Sequence, residues 1–312
     1  MSEDRGIIVL GMPRSGTTLL RRVLSAHPRI SCPPETNLLG ATSRFLEEHE
    51  FAGGVAVGAV PGLHFAGFDE PRVLDRLRAL VEGFLGDIAQ RAGKPRWAEK
   101  TAVDIFHIDA IERLFGERCQ FVCLLRHPLD VVCSIKELSD KMEMYLPELH
   151  RYVARYLSPL EAFAHAWREG NARLLEFLAA HQHNALMLRY EDLVRDPPAE
   201  VARLFQFLGE AVDIDVLLRD ALGTPDAVGL GDWKTYDAKR ISKESIGRHA
   251  TLDRAMQNRL AEIVNPLMPA CGYPAIEPTR VPTGANARRH FELSLMVSAM
   301  RDRTPDGGDS SG

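Results

Sequence analysis

The sequence predicts an α/β fold with a central, mostly parallel sheet, on three observations. Short apolar runs stand at Gly6-Ile7-Ile8-Val9-Leu10, at Gln120-Phe121-Val122-Cys123-Leu124-Leu125 and from Ala185 to Leu188. Each suits a strand buried on both faces. Helical patterns over about 72–92, 103–115, 159–181, 197–208 and 252–271 lie between and after them, and strands alternating with helices build parallel sheets.

The elements follow in order. The polar start, Met1-Ser2-Glu3-Asp4-Arg5, carries no signal-peptide apolar region and leads into the first run. A glycine-containing turn follows, then a helix from about Gly16 to Ala26. Phe51 to Phe68 is the longest uncharged stretch, with five glycines, Pro61 and His64. That makes it a poor membrane-spanning helix, and it reads as a flexible insertion or lid. After the second run, Pro128 sits where a helix can begin. The third run precedes Tyr190-Glu191-Asp192-Leu193, read as a strand end with an acidic helix start. No solenoid repeat is present. Residues 1–276 read as one domain and 277–312 as a C-terminal extension, with Pro278, Pro282, an amphipathic helix at 286–301 and a polar, disordered end from Thr304.

Composition narrows the function. The chain has 312 residues, 45% hydrophobic and 26% charged, and a formal net charge of −5. That charge gives no support for a nucleic-acid partner, which wants a basic face. The five cysteines, Cys32, Cys119, Cys123, Cys133 and Cys271, are widely spaced and contain no C-x-x-C. They read as free thiols of a reducing, cytoplasmic compartment, with no metal site.

Two motifs carry the chemistry. Gly11-Met12-Pro13-Arg14-Ser15-Gly16-Thr17-Thr18 lies between a strand and a helix. Glycines let the backbone wrap an anion, and the helix N-terminus aims N–H groups at it. In the nucleotide P-loop pattern a lysine stands where Thr17 does here. The cation, Arg14, comes three residues earlier, which disfavours triphosphate hydrolysis. In the second motif a strand runs into Arg126-His127-Pro128-Leu129-Asp130, with Ser134 about two turns into the helix. A nucleotide hydrolase often has a magnesium-binding aspartate at such a strand end; Arg126 there suits a second anion instead. Asp130 reads as an acid complementing the helix dipole.

Together these motifs resemble the sulfotransferase family that uses 3′-phosphoadenosine 5′-phosphosulfate (PAPS), most of all its tyrosylprotein and bacterial natural-product branches. Ser25-Ala26-His27-Pro28, Pro33-Pro34-Glu35-Thr36, Trp97-Ala98-Glu99-Lys100-Thr101, Ile246-Gly247-Arg248 and Cys271-Gly272-Tyr273-Pro274 extend the resemblance over about residues 6–275. It implies a P-loop-like three-layer fold with PAPS as co-substrate and no metal. It implies that Arg14, Ser15, Gly16, Thr17 and Thr18 hold the 5′-phosphosulfate, that Arg126 and Ser134 hold the 3′-phosphate, and that Gly247 and Arg248 belong to a loop closing over the nucleotide. Trp233 and Tyr236 are candidates to line that loop. The family often has an aromatic where His249 stands and a proline where Ala102 stands.

Sulfuryl transfer needs in-line attack by a hydroxyl and charge stabilisation on the leaving oxygen. Glu35, stiffened by two prolines, is the candidate general base and aligns with the glutamate of tyrosylprotein sulfotransferases. His107 is its chief rival and His64 a weaker one. Lys100, with Arg14 beside it, is the candidate cation for the leaving phosphate. The acceptor is expected under Phe51 to Phe68 and about Lys136 to Tyr156, which carries Met142, Met144, Tyr145 and Tyr152. That content suits a lipid, polyketide or aromatic alcohol better than a polyanionic carbohydrate. A P-loop small-molecule kinase and a non-catalytic PAP- or PAPS-binding protein are the competing readings, and homo-oligomerisation stays open.

Overall fold

The computed structural model describes residues 5–51, 54–223 and 245–278. Trp233, Tyr236, the 286–301 helix and the polar end lie outside the described residues.

Five parallel strands form the central sheet: β1 (Ile7–Gly11), β2 (Ile30–Ser31), β5 (Arg96–Glu99), β6 (Gln120–Leu125) and β7 (Ala185–Arg189). Their order is β2-β5-β1-β6-β7, which puts β1 at the centre. The register pairs Ile7 with Gln120 and Gly11 with Leu124, so the two motif-bearing strands end side by side.

Side chains alternate across the sheet with the strand period of two. Ile8, Leu10, Phe121, Cys123 and Leu125 face one layer of helices. That layer holds α4 (Glu70–Arg91), α5 (Ile108–Phe115), α6 (Pro128–Met142), α8 (Pro159–Ala180) and α12 (Arg254–Val264). Ile7, Val9, Val122, Leu124 and Leu188 face the other, built from α1 (Thr17–Ala26), α9 (Tyr190–Arg195), α10 (Pro197–Leu208) and α11 (Ile214–Gly223). This is the three-layer arrangement expected, with both sheet faces buried. The first three runs of the sequence become β1, β6 and β7.

Three sequence expectations change. Phe51 to Phe68 is not one irregular insertion. β3 (Glu48–Phe51) and β4 (Val55–Gly58) pair as an antiparallel hairpin, and α3 (Ala59–Phe65) follows. Helix 103–115 divides into a 3₁₀ turn, Ala102–His107, and then α5. Helix 252–271 ends at Val264 and continues as turns to Gly272. A short helix, α2 (Leu38–Phe45), follows Glu35; α7 (His150–Val153) completes the series. The five thiols are all free, and Cys32, Cys119, Cys123 and Cys271 are buried as small apolar residues. Burial pushes the Cys32 thiol up to about 12.

Candidate active site

The site lies where an open parallel sheet presents ligands, beyond the carboxyl ends of its strands. β1 delivers the loop Met12–Gly16. Arg14 adopts φ 72°, a left-handed conformation that costs a residue with a β-carbon about 1–3 kcal/mol. Gly16 adopts φ 96°, and a β-carbon there would stand 2.3 Å from Tyr190 Cδ2. Only glycine allows the loop to lie so close to that ring. No side chain caps the N-terminus of α1, so its first N–H groups have no intrahelical partner. Ser15, Thr17 and Thr18 are buried along the same turn.

The second motif meets the first. Arg14 Nε donates to Ser134 Oγ at 3.1 Å. Arg126 Nη1 donates to the Arg14 carbonyl at 2.6 Å, and Nη2 to the Ser245 carbonyl at 2.5 Å. Arg126 is 4% exposed and its guanidinium lies 4.5 Å from the centre of the Tyr190 ring. Tyr190 therefore stands against Gly16 and Arg126 together, a structural role that fits its sequence reading. Burial lowers the Arg126 pKa, with Tyr190 and Asp130 opposing. Trp167 Nε1 donates to the Arg126 carbonyl, and His127 N donates to Glu191 Oε1 at 2.9 Å. Tyr273 OH donates to the other oxygen of Glu191 at 2.7 Å, tying the end of the described chain to the motif.

The two candidate catalytic residues also come together. Lys100, at the end of β5, is 2% exposed, and its Nζ lies 2.6 Å from Glu35 Oε1. Glu99 is itself buried and accepts from Thr101 Oγ1 at 2.7 Å. Burial raises the Glu99 carboxyl, against bonds from Thr101 and Thr36. Glu35 shares a cleft with Pro13, Arg14, Thr17, Thr18, Leu138 and Leu146. Leu138 and Leu146 come from the expected acceptor segment at 136–156. The residues named there do not line this cleft: Tyr145 and Tyr152 pack against the core and Met144 is exposed. No described residue of 51–68 lines it either, and Phe65 stands 88% exposed. His107 lies outside the cleft, 3.7 Å from Glu148 Oε1. His64 sits beside Phe65 on α3.

Asp130 does more than complement a helix dipole. Its Oδ2 accepts from Gly247 N at 2.8 Å, and its Oδ1 accepts from His249 N at 3.1 Å and lies 2.8 Å from His249 Nδ1. Burial would raise this carboxyl, but the bonds from His249 and Gly247 outweigh it and hold it below the ordinary range. Gly247 and Arg248 are thereby fixed against α6, and Arg248 pairs with Glu137 there. Sequence reasoning missed this clasp because its partners stand 117 and 119 residues away.

His127, Asp130 and His249 could offer three metal-ligand atoms within 4.8 Å of one another, the one such cluster among the described residues. The two imidazoles are stacked, 4.7 Å apart and 19° from parallel. Ring lone pairs lie in the ring plane, so near-parallel rings aim them side by side and not at one ion. Burial, then His249, lowers the His127 pKa to about 4, which leaves that ring neutral.

Comparison with known proteins adds three findings. The profile of the sulfotransferase family matches residues 6–213. The nodulation protein NoeE of Sinorhizobium fredii (strain NBRC 101917 / NGR234) is 29% identical over 211 residues, which are 64% of this chain and 49% of NoeE. A putative protein-tyrosine sulfotransferase of Caenorhabditis briggsae is 26% identical over 65% of this chain and 64% of that protein. The chain thus spans about half to two thirds of the length of these relatives. Among solved structures, the sulfotransferase domain of the Synechococcus PCC 7002 olefin synthase superposes with a TM-score of 0.57 at 22% identity. That match covers 86% of this chain and 94% of the domain, a likeness of fold.

Proposed function

The chain belongs to the sulfotransferase family, and on that footing we propose that it moves a sulfuryl group from PAPS to a hydroxyl of a small-molecule acceptor. One observation carries the reading. The two anion motifs, 112 residues apart, converge on Arg14, and Glu35, paired with the buried Lys100, lines the same cleft as Arg14. A pair of anion sites built on Arg14 and Arg126 suits a donor with one phosphate on its ribose and a phosphosulfate on its 5′ end.

In this reading Arg14, Ser15, Gly16, Thr17 and Thr18 hold the 5′-phosphosulfate, and Arg126 and Ser134 the 3′-phosphate. Gly247 and Arg248, on the loop that Asp130 clasps at Gly247 and His249, close over the nucleotide. Glu35 takes the proton of the acceptor hydroxyl as its oxygen attacks sulfur in line. The bond from sulfur to the bridging oxygen breaks on the far side, and its electron pair stays with the leaving phosphate. Lys100 and Arg14 stabilise that charge. Binding the donor requires Lys100 to share its charge between Glu35 and the phosphate.

The acceptor is an apolar or aromatic alcohol, because Leu138, Leu146 and Val103 border Glu35. The catalytic unit is residues 1–276, working without a metal in a cytoplasmic setting; no described helix is long and apolar enough to cross a membrane. Sulfuryl transfer from labelled PAPS to a panel of lipid, polyketide and aromatic alcohols, with oligosaccharides alongside, tests the reading. Transfer to alcohols is expected, with Glu35→Gln lowering kcat by roughly 10²–10⁴ while PAP still binds. Near-normal turnover by that variant removes Glu35 from the role.

A further inference from the structure

One buried carboxylate stands next to Lys100 and takes no part in the chemistry above. Glu99 ends β5 and is 1% exposed. A carboxyl group at that depth needs a donor to offset its lost hydration. Thr101, equally buried, supplies one: its Oγ1 donates to Glu99 Oε1 at 2.7 Å. A hydroxyl has one proton to give and two lone pairs that accept. Glu99 takes the proton, so Thr101 turns its lone pairs the other way.

Those lone pairs meet the segment that carries the base. Asn37 N donates to Thr101 Oγ1 at 3.2 Å, and Leu38 N donates to Thr36 Oγ1 at 3.3 Å. Asn37 adopts φ 57°, a left-handed conformation, where the chain turns into α2. Its carbonyl accepts from Ala41 N at 3.0 Å in the first turn of that helix. On its own backbone, the Thr101 carbonyl accepts from Asp104 N at 3.0 Å. Ala102 and Val103, enclosed by that bond, line the cleft with Glu35. Thr101 therefore joins the segment of the base to the wall of the cleft. Glu35 is also held by Lys100, 2.6 Å from its Oε1. That ion pair weakens when Lys100 turns part of its charge to the donor phosphate. The backbone tie at Asn37, two residues from Glu35, does not depend on the donor.

We propose that Thr101, its hydroxyl oriented by Glu99, is a positioning residue for Glu35. The inference rests on the sulfuryl-transfer reading. Glu99 fixes the direction of the Thr101 O–H, and Thr101 fixes the Asn37 N–H. That second bond sets where the Glu35 carboxylate stands against the acceptor hydroxyl. No proton passes along the chain: each bond keeps its donor and its acceptor through the turnover. The contribution is geometric. A general base must come within about 2.6–3.2 Å of the group whose proton it takes, and a misplacement of about 1 Å can cost about 10²-fold in rate. The need is greatest at the moment of reaction, when Lys100 stabilises the leaving phosphate and its hold on Glu35 is at its weakest.

Thr101→Val tests this, because valine keeps the shape and loses the hydroxyl. The readouts on the full chain are PAP binding and conversion of PAPS to PAP, with water alone and with 4-methylumbelliferone as acceptor. PAP affinity and the KM for PAPS should stay within about twofold of wild type, while kcat falls roughly tenfold, short of the roughly 10²–10⁴ lost with the base itself. Thr101→Ser, which restores the hydroxyl, should recover most of the rate. The comparison that separates positioning from general structure is made in Glu35→Gln. A residue that acts through Glu35 has little left to lose there, so adding Thr101→Val should lower kcat by less than about twofold. The full loss in that background, or a wild-type kcat in Thr101→Val alone, would overturn the proposal. If Thr101→Val does not fold, Glu99→Gln takes its place, since an amide of the same size can turn the Thr101 hydroxyl around. A lowered kcat that disappears in the Glu35→Gln background supports the role, and a wild-type kcat overturns it. A wild-type protein that converts no PAPS, whether or not it binds PAP, removes the sulfuryl-transfer reading itself, and this inference with it.

Discussion

At the scale of single residues, Lys100 stands among several buried acids. Lys100 is 2% exposed and pairs with Glu35, while Glu99 and Asp104 lie enclosed behind them. Lys100→Ala should slow conversion of PAPS by about 10²–10³, the usual loss of one placed charge donor. Lys100→Arg should recover part of it. Full turnover by the alanine variant, measured at saturating PAPS, would remove Lys100 from the leaving-group role. Asp104 gives a separate signature in stability. Its folded pKa is raised well above the ordinary value, so the native state keeps a proton to higher pH than the unfolded chain does. Its contribution is complete below the unfolded value of about 3.9 and is lost as pH rises toward the folded value. Asp104→Asn removes that slope. Its unfolding temperature relative to wild type should therefore rise from pH 5 to pH 8; a constant difference would mean Asp104 is ionised in the fold. Glu35 and Lys100 drew notice in the sequence through the family resemblance of Pro33-Pro34-Glu35-Thr36 and Trp97-Ala98-Glu99-Lys100-Thr101. Asp104 did not, since an acid in a helical pattern looks like any other until its burial is known.

At the scale of elements, legibility followed apolar content. β1, β6 and β7 announced themselves because strands buried on both faces need uninterrupted apolar runs. β5 did not, because Arg96-Trp97-Ala98-Glu99 carries a charge at each end. The fold accommodates Arg96 at 0% exposure by pairing it with Glu210 and the Leu208 carbonyl. β2 is two residues long, too short for any pattern, and β3, Glu48–Phe51, is exposed along its length. The start of α6 was legible from Pro128. The direction of its side chains was not: Ser134 faces Arg14, and Asp130 faces a loop far along the chain. That clasp makes a prediction. Asp130→Asn weakens the hold on Gly247 and His249, so PAP affinity should fall several-fold, with the catalytic rate at saturation nearly kept. An unchanged PAP dissociation constant by calorimetry would mean that the loop closes without the clasp. The sign with pH follows from the depressed Asp130 pKa. The clasp is intact above the ordinary carboxylate range, about 3.9, and is lost as pH falls through the lower folded value.

At the scale of the whole molecule, the sheet order does the positioning. β1 stands between β5 and β6, so the three strand ends that carry Arg14, Lys100 and Arg126 are neighbours. The alternation of strands and helices made this fold class readable, and the two motifs marked the strand ends that meet at Arg14. The acceptor side was less readable, because Leu138 and Leu146 are ordinary apolar residues until the cleft brings them to Glu35. The central claim is that these strand ends hold a 3′,5′-substituted adenosine nucleotide without a metal. Thermal unfolding with PAP, with magnesium-ATP and without ligand tests it most directly. At 100 times its dissociation constant PAP adds about 2.7 kcal/mol, a rise of several degrees at roughly 2–4 °C per kcal/mol. The account predicts that rise with PAP in the presence of a chelator, and its loss in Arg126→Ala measured against that variant's own baseline. No shift with PAP, beside a clear shift with magnesium-ATP, would contradict the account and point to a phosphotransferase.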